Sequence, residues 1–380
     1  MESALALYIH WPFCVSKCPY CDFNSHVREN IDVGAWRTAL LADMAHEARL
    51  TPGRILGSIF FGGGTPSLMP PALAGELIAA AARHWHFADD IEITLEANPS
   101  SVEAARFADL AAAGVNRVSL GLQALHDDAL RFLGRAHDVA EGLGALDVAQ
   151  RHFARVNFDL IYARPDQSAD AWAEELARAI GFGTDHLSLY QLTIEPGTRF
   201  ETMARKGDFT PMDGDTAASL YELTQEMTQA AAVPAYEISN HARSGQASRH
   251  NLTYWRYGDY VGIGPGAHGR RDATATIRHK KPENWIAAVA RNGHGCQSET
   301  PLGSQERASE ALLMGLRLAE GVDLTRIVAM SGVAQAQLLD GAALARMARL
   351  KMLTETGHHV AVTPKGMLLL DAILAEIVAV

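Results

Sequence analysis

Over roughly the first two hundred positions, short β-branched and aromatic runs alternate with alanine-rich stretches whose apolar residues recur at helical spacing. The predicted strands are LALYIHW from Leu5, ILGSIFFGG from Ile55, IEITLEA from Ile91, RVSLGLQ from Arg117, RVNFDLIY from Arg155 and HLSLYQLT from His186. Between them VGAWRTALLADMAHEARL, ALAGELIAAAARHW, SVEAARFADLAAAG, DVAEGLGALDVAQRHF and SADAWAEELARAIGF read as helices. Two of these begin at capping serines: Ser100 or Ser101 with Glu103 nearby, and Ser168 with Asp170. A βα unit repeated about six times predicts a parallel sheet with right-handed crossovers, and so an α/β fold. Six units fall short of the eight of a closed barrel, so residues 1–210 are expected to form an open, partial (β/α)6 barrel.

From about Asp213 the rhythm breaks. Residues 211–300 carry one long helix, the strand-like AYEISNHA and an aromatic, glycine-rich stretch, RHNLTYWRYGDYVGIGPGAHGRR. They read as an extension of the barrel. Residues 301–380 are mostly helical, with a hairpin-like LTETGHHVAVTPKG near the end, which suggests a smaller winged-helix-like domain.

Composition changes this picture little. A chain of 380 residues with 48% hydrophobic content can bury one large core and a smaller one. No apolar run approaches the roughly 20 residues of a spanning helix and no leader is evident, so a cytoplasmic protein is expected. A formal charge of -11 argues against a nucleic-acid binder, which needs a clustered basic surface. The short basic stretch ARMARLKM reads as the wet side of a helix.

Three of the four cysteines, Cys14, Cys18 and Cys21, fall in one C-x3-C-x2-C run, HWPFCVSKCPYCDF. In a reducing compartment such a cluster is metal-binding or catalytic rather than a disulfide framework. Zinc wants four protein ligands, and Cys296 lies far off in sequence, although His10 or His26 would complete a set. A 4Fe-4S cluster held by three thiolates keeps one iron open, and an open position marks a reactive site.

This run, with Tyr20 before its last cysteine, resembles the signature of the radical S-adenosylmethionine (SAM) superfamily. The resemblance implies a 4Fe-4S cluster on Cys14, Cys18 and Cys21, SAM chelated to the open iron, reductive release of a 5'-deoxyadenosyl radical, and a partial βα barrel. YIHWPFC, CPYCDFNSH, FGGGTPSLM, EANP, RVSLGLQ and NFDLIY together are similar to the family of oxygen-independent coproporphyrinogen III oxidase and its haem-chaperone relatives, over nearly the whole chain. By that likeness Tyr8, Gly63, Gly64, Thr65, Glu96, Gln123, Arg135 and Asp159 match SAM-contacting positions.

Two features lean towards the chaperones. Phe23 stands where the oxidase has a further cysteine, and HNLTYW matches the chaperones' H-N-x-x-Y-W motif. The resemblance implies haem contact at His250, Tyr254 and Trp255, and Arg243, Arg249 and Arg256 are candidates to pair with propionates. The expectation is a protein that holds haem and delivers it to respiratory haem proteins. An acceptor embedded in the inner membrane would bring it to that surface, and a homodimer is compatible with the sequence. The competing reading is the radical decarboxylation of coproporphyrinogen III. YARPDQ replaces the family's Y-G-L-P-G-Q after the fifth strand, and Cys296, His358 and His359 are expected to be surface loop residues.

Overall fold

The computed structural model describes residues 4–379. Six parallel strands stand side by side in chain order: β1 (Leu5–Trp11), β2 (Ile55–Gly63), β3 (His86–Ala97), β4 (Arg117–Gln123), β5 (Arg155–Tyr162) and β6 (His186–Gln191). The connecting helices cover one face. The first of them, α1 (Val33–Leu50), is capped by Asp32, whose carboxylate accepts from the Ala35 N–H at 3.0 Å. Ser100 and Ser168 also act as caps, accepting from Glu103 and Ala171.

The sheet runs further than the βα rhythm indicates. β7 (Asn240–Ala242) pairs antiparallel with β6 at one edge. At the other, β8 (Tyr260–Ile263) adds parallel to β1, with Ala6 opposite Tyr260, and β9 (His268–Arg271), β10 (Thr274–Arg278) and β11 (Cys296–Pro301) follow antiparallel. The result is one mixed sheet of eleven strands in the order β11-β10-β9-β8-β1-β2-β3-β4-β5-β6-β7. Residues 211–300 therefore close over both edges of the barrel. Val261, Ile263, Trp285 and Val289 share its core with Leu7, Ile59 and Leu95. Just before β8 lies α2 (Arg249–Trp255), which contacts β1 and β2.

Residues from Ala308 to Ile377 bury a second core of their own. Leu353–Thr356 and His359–Val362 form the expected hairpin, and Val322–Asp323 makes it a three-stranded sheet beside helices. His359 is an exposed strand residue there, and His358 Nδ1 donates to Gln335 Oε1 at 2.9 Å. Cys296 is a correction: it opens edge strand β11 and is half-buried rather than lying in a surface loop.

Candidate functional site

The loops after β1 and β2 lie against one another at the C-terminal rim, where parallel βα barrels place their ligands. The Gly64 N–H donates to the Trp11 carbonyl at 2.8 Å and the Thr65 N–H to the Phe13 carbonyl at 2.8 Å. A Cβ on Gly64 would stand 2.7 Å from that Phe13 oxygen, so only glycine permits this approach. Gly63 has φ 117°, and a Cβ there would strike the His10 ring at 2.6 Å.

His10 in turn fixes the cysteine loop. Its Nε2 lies 2.9 Å from the Asn24 carbonyl, which needs an N–H there, so Nδ1 accepts from the Tyr8 hydroxyl at 3.0 Å. Asn24 donates to the carbonyls of Pro265 and Lys280, both at 2.9 Å, tying the loop to the strands of the extension.

Cys14, Cys18 and Cys21 are half-buried free thiols that open on one cavity of about 1080 Å³. Gly64, Thr65, Glu96, Gln123, Arg135 and Asp159 stand on its walls. Tyr8 and Gly63 lie behind them, and the Gly63 N–H donates to Glu96 at 3.2 Å. The Thr65 hydroxyl donates to Cys14 Sγ and an Arg135 N–H to Cys18 Sγ, each at 3.4 Å. Burial pushes the Cys14 and Cys21 thiols up, so without a metal they hold their protons. A metal centre would take the protons' place.

The polar wall is unfinished. Burial, with Asp159 next, pushes Glu96 up to about 8, and burial pushes Asp159 up to about 6. Gln123 Oε1 and Arg135 Nε are buried without partners. Gln123 holds a positive φ of 70°. Two carboxyl groups short of positive charge, a free acceptor and a free guanidinium N–H fit a ligand carrying both an amino group and a carboxylate, as SAM does. Three soft thiols with N–H and O–H donors on their sulfurs fit an iron–sulfur cluster.

α2 sits elsewhere. His250 is 5% exposed, in the barrel floor, with Nδ1 3.1 Å from Ser58 Oγ and its ring stacked on Phe60 at 4.9 Å. Its backbone N–H donates to the buried Glu92, and burial lowers the imidazole to about 4. Tyr254 and Trp255 are half-buried, and none of the three lines the cavity. In this conformation His250 is not presented to a haem, because the floor needs it as a packing and hydrogen-bonding group. The arginines expected to meet propionates are paired within the chain: Arg243 with Asp185, Arg249 with Asp90 and Arg256 with Glu320.

Sequence reasoning passed over a buried network behind the site. Asp43 and Glu47 of α1 are fully buried. Asp43 accepts from Trp285 Nε1 at 3.1 Å, Gly295 N–H at 3.0 Å and Gly264 N–H at 3.2 Å. Arg278, itself 0% exposed, faces both carboxylates, and Arg271 bonds Glu47 at 2.7 Å. The signal was there: Asp43 and Glu47 continue the apolar stripe Trp36, Ala39, Leu40, Met44 at helical spacing.

Residues 8–179 match the radical SAM superfamily, and residues 302–369 the HemN C-terminal domain. The chain is 41% identical to the mitochondrial radical S-adenosyl methionine domain-containing protein 1 of Bos taurus, over 83% of this chain and 74% of that one. It is 36% identical to heme chaperone HemW of Escherichia coli (strain K12), over 97% of each. The solved coproporphyrinogen III oxidase (HemN) of Escherichia coli superposes with a TM-score of 0.83 over 98% of this chain and 90% of that one. At 23% identity that likeness shows the fold, a radical SAM α/β barrel with a HemN-type C-terminal domain. With the fold, both domains and the match across most of the length of the heme chaperones in agreement, the chain belongs to the HemW family of radical SAM proteins.

Proposed function

We propose that this protein is a haem chaperone: it carries a 4Fe-4S cluster on Cys14, Cys18 and Cys21, binds SAM at the rim, and passes haem to respiratory haem proteins. The observation that carries the reading is the likeness to heme chaperones over 97% of both chains. Phe23, 60% exposed beside the cavity where the oxidase has a cysteine, supports it against the decarboxylase.

Bound at the rim, a cluster with one open iron and SAM supply one-electron carbon–sulfur chemistry. The chain's own residues do the holding. Thr65 and Arg135 direct donors at two of the sulfurs, and charge-assisted hydrogen bonds of this kind are the strong ones. Glu96 and Asp159 would take the amino group of SAM, giving up their protons as positive charge arrives. Gln123 Oε1 and Arg135 Nε are the free polar atoms for the rest of the amino-acid moiety.

Haem contact is proposed at α2, with His250 as the iron ligand and Tyr254 and Trp255 against the porphyrin. Because His250 is packed on Phe60 and Ser58, this contact requires α2 to leave the floor. The haem-free state is then the closed one. No helix of the described residues is long and apolar enough to cross a membrane, so an acceptor in the bilayer would be met from its surface.

An anaerobic assay with coproporphyrinogen III separates the two readings. The chaperone reading predicts that cluster-loaded protein with SAM and a reductant binds haem yet forms no protoporphyrinogen IX. Sustained conversion would establish the decarboxylase instead.

A further inference from the structure

Outside the cavity that the three cysteines line, α1 meets edge strand β11. His46 of α1, Glu47 beside it and Glu299 of β11 bring an imidazole nitrogen and two carboxylate oxygens within 4.8 Å of one another. We propose that these three residues bind one divalent transition-metal ion of the zinc class, clamping α1 to the edge of the sheet.

The donor set suits such an ion, since zinc takes histidine nitrogen and carboxylate oxygen at roughly 2.0–2.2 Å. Those bond lengths need donor atoms about 3–3.7 Å apart, which a small rotation of one side chain supplies. Glu299 is the one that can rotate, because its side chain is 44% exposed. Its Oε1 is held by Arg271, which leaves Oε2 for an ion. Glu47 is rigid, fixed through Oε2 by Arg271 and through Oε1 by Arg278, and each of its oxygens keeps a further lone pair.

Charge favours a cation there. Asp43, Glu47 and Glu299 face Arg271 and Arg278, three negative groups against two positive, leaving one negative charge uncompensated. The histidine is also held in place. The His294 ring stacks on His46 at 4.1 Å, and His294 Nδ1 accepts from the Cys296 N–H at 3.2 Å. Cys296 points its thiol at the carbonyls of Ser298 and Ile277, at 3.2 and 3.7 Å, so the inner shell is nitrogen and oxygen without sulfur. Three protein ligands leave the fourth position to water.

The test uses the full chain with its cluster loaded under anaerobic conditions, so that Cys14, Cys18 and Cys21 do not compete. Equilibrium dialysis against zinc, with metal analysis and zinc K-edge X-ray absorption, is run on wild type, His46→Ala and Glu299→Gln. The expected result is one zinc per chain beyond the iron, with only nitrogen and oxygen scatterers, and binding at least tenfold weaker in both variants. A sulfur-containing shell, unchanged binding in the variants, or no zinc retained by wild type would overturn the site. Should His46→Ala fail to fold, Glu299→Gln decides alone, because it changes one exposed side chain by a single atom.

Discussion

At Gly64 a single hydrogen atom in place of a methyl group lets the two rim loops touch, with the Phe13 carbonyl 2.7 Å from where a Cβ would stand. Gly64→Ala should push the cysteine loop outward. We expect iron retained after anaerobic reconstitution to fall to less than half of wild type, while the far-ultraviolet circular dichroism is kept. Glu96 gives a pH signature. Its folded pKa of about 8 lies above the ordinary value of 4.5, so its protonated form is favoured by the fold. That contribution to stability is fully present below pH 4.5 and lost as pH rises through about 8. Without SAM, Glu96→Gln should melt higher than wild type at pH 8.5 and close to it at pH 4.5, and its SAM affinity should drop. Parallel melting curves across that range would remove Glu96 as the group responsible.

The elements divide into those a local pattern can announce and those it cannot. The six parallel strands and their helices were legible because alternation, helical spacing and the capping serines Ser100 and Ser168 are local signals. The addition of β8 to β1 was not, since pairing Ala6 with Tyr260 is a long-range choice that no window contains. Of the site, the cysteine run and the polar strand ends Glu96, Gln123 and Asp159 were readable from position alone. The partners of His250 were not: an imidazole amid Tyr and Trp does not announce what it packs on, and Ser58 and Phe60 of β2 are far from it in sequence. Asp43→Asn would remove one of the two buried carboxylate charges facing Arg278, itself at 0% exposure, leaving Glu47 alone against it. Removing one partner of a buried ion pair costs about 3–5 kcal/mol, and urea unfolding should show a loss of that size. A loss below about 1 kcal/mol, the scale of exposed pairs, would mean that the network is dispensable.

At the scale of the whole molecule, the rim cavity extends beyond the barrel. Ile238, Arg317 and Asp371 also line it, so the C-terminal domain contributes to its wall. α2 joins the two halves: its His250 plugs the barrel floor, and Tyr257, two residues past its end, packs on the C-terminal core. A movement of α2 that frees His250 would therefore disturb both cores. The same placement separates binding from stability. His250→Ala removes the Ser58 hydrogen bond and the stack on Phe60, and should lower the melting temperature of haem-free protein by several degrees.

The most direct test of the account is an anaerobic haem titration of cluster-loaded protein followed by absorbance, wild type beside His250→Ala, at a temperature where both are folded. Saturable binding near one haem per chain is expected in wild type, and at least tenfold weaker binding with an altered Soret band in the variant. Absence of saturable binding in wild type would contradict the chaperone reading itself, whereas equal affinity and an unchanged spectrum in the variant would contradict His250 as the ligand.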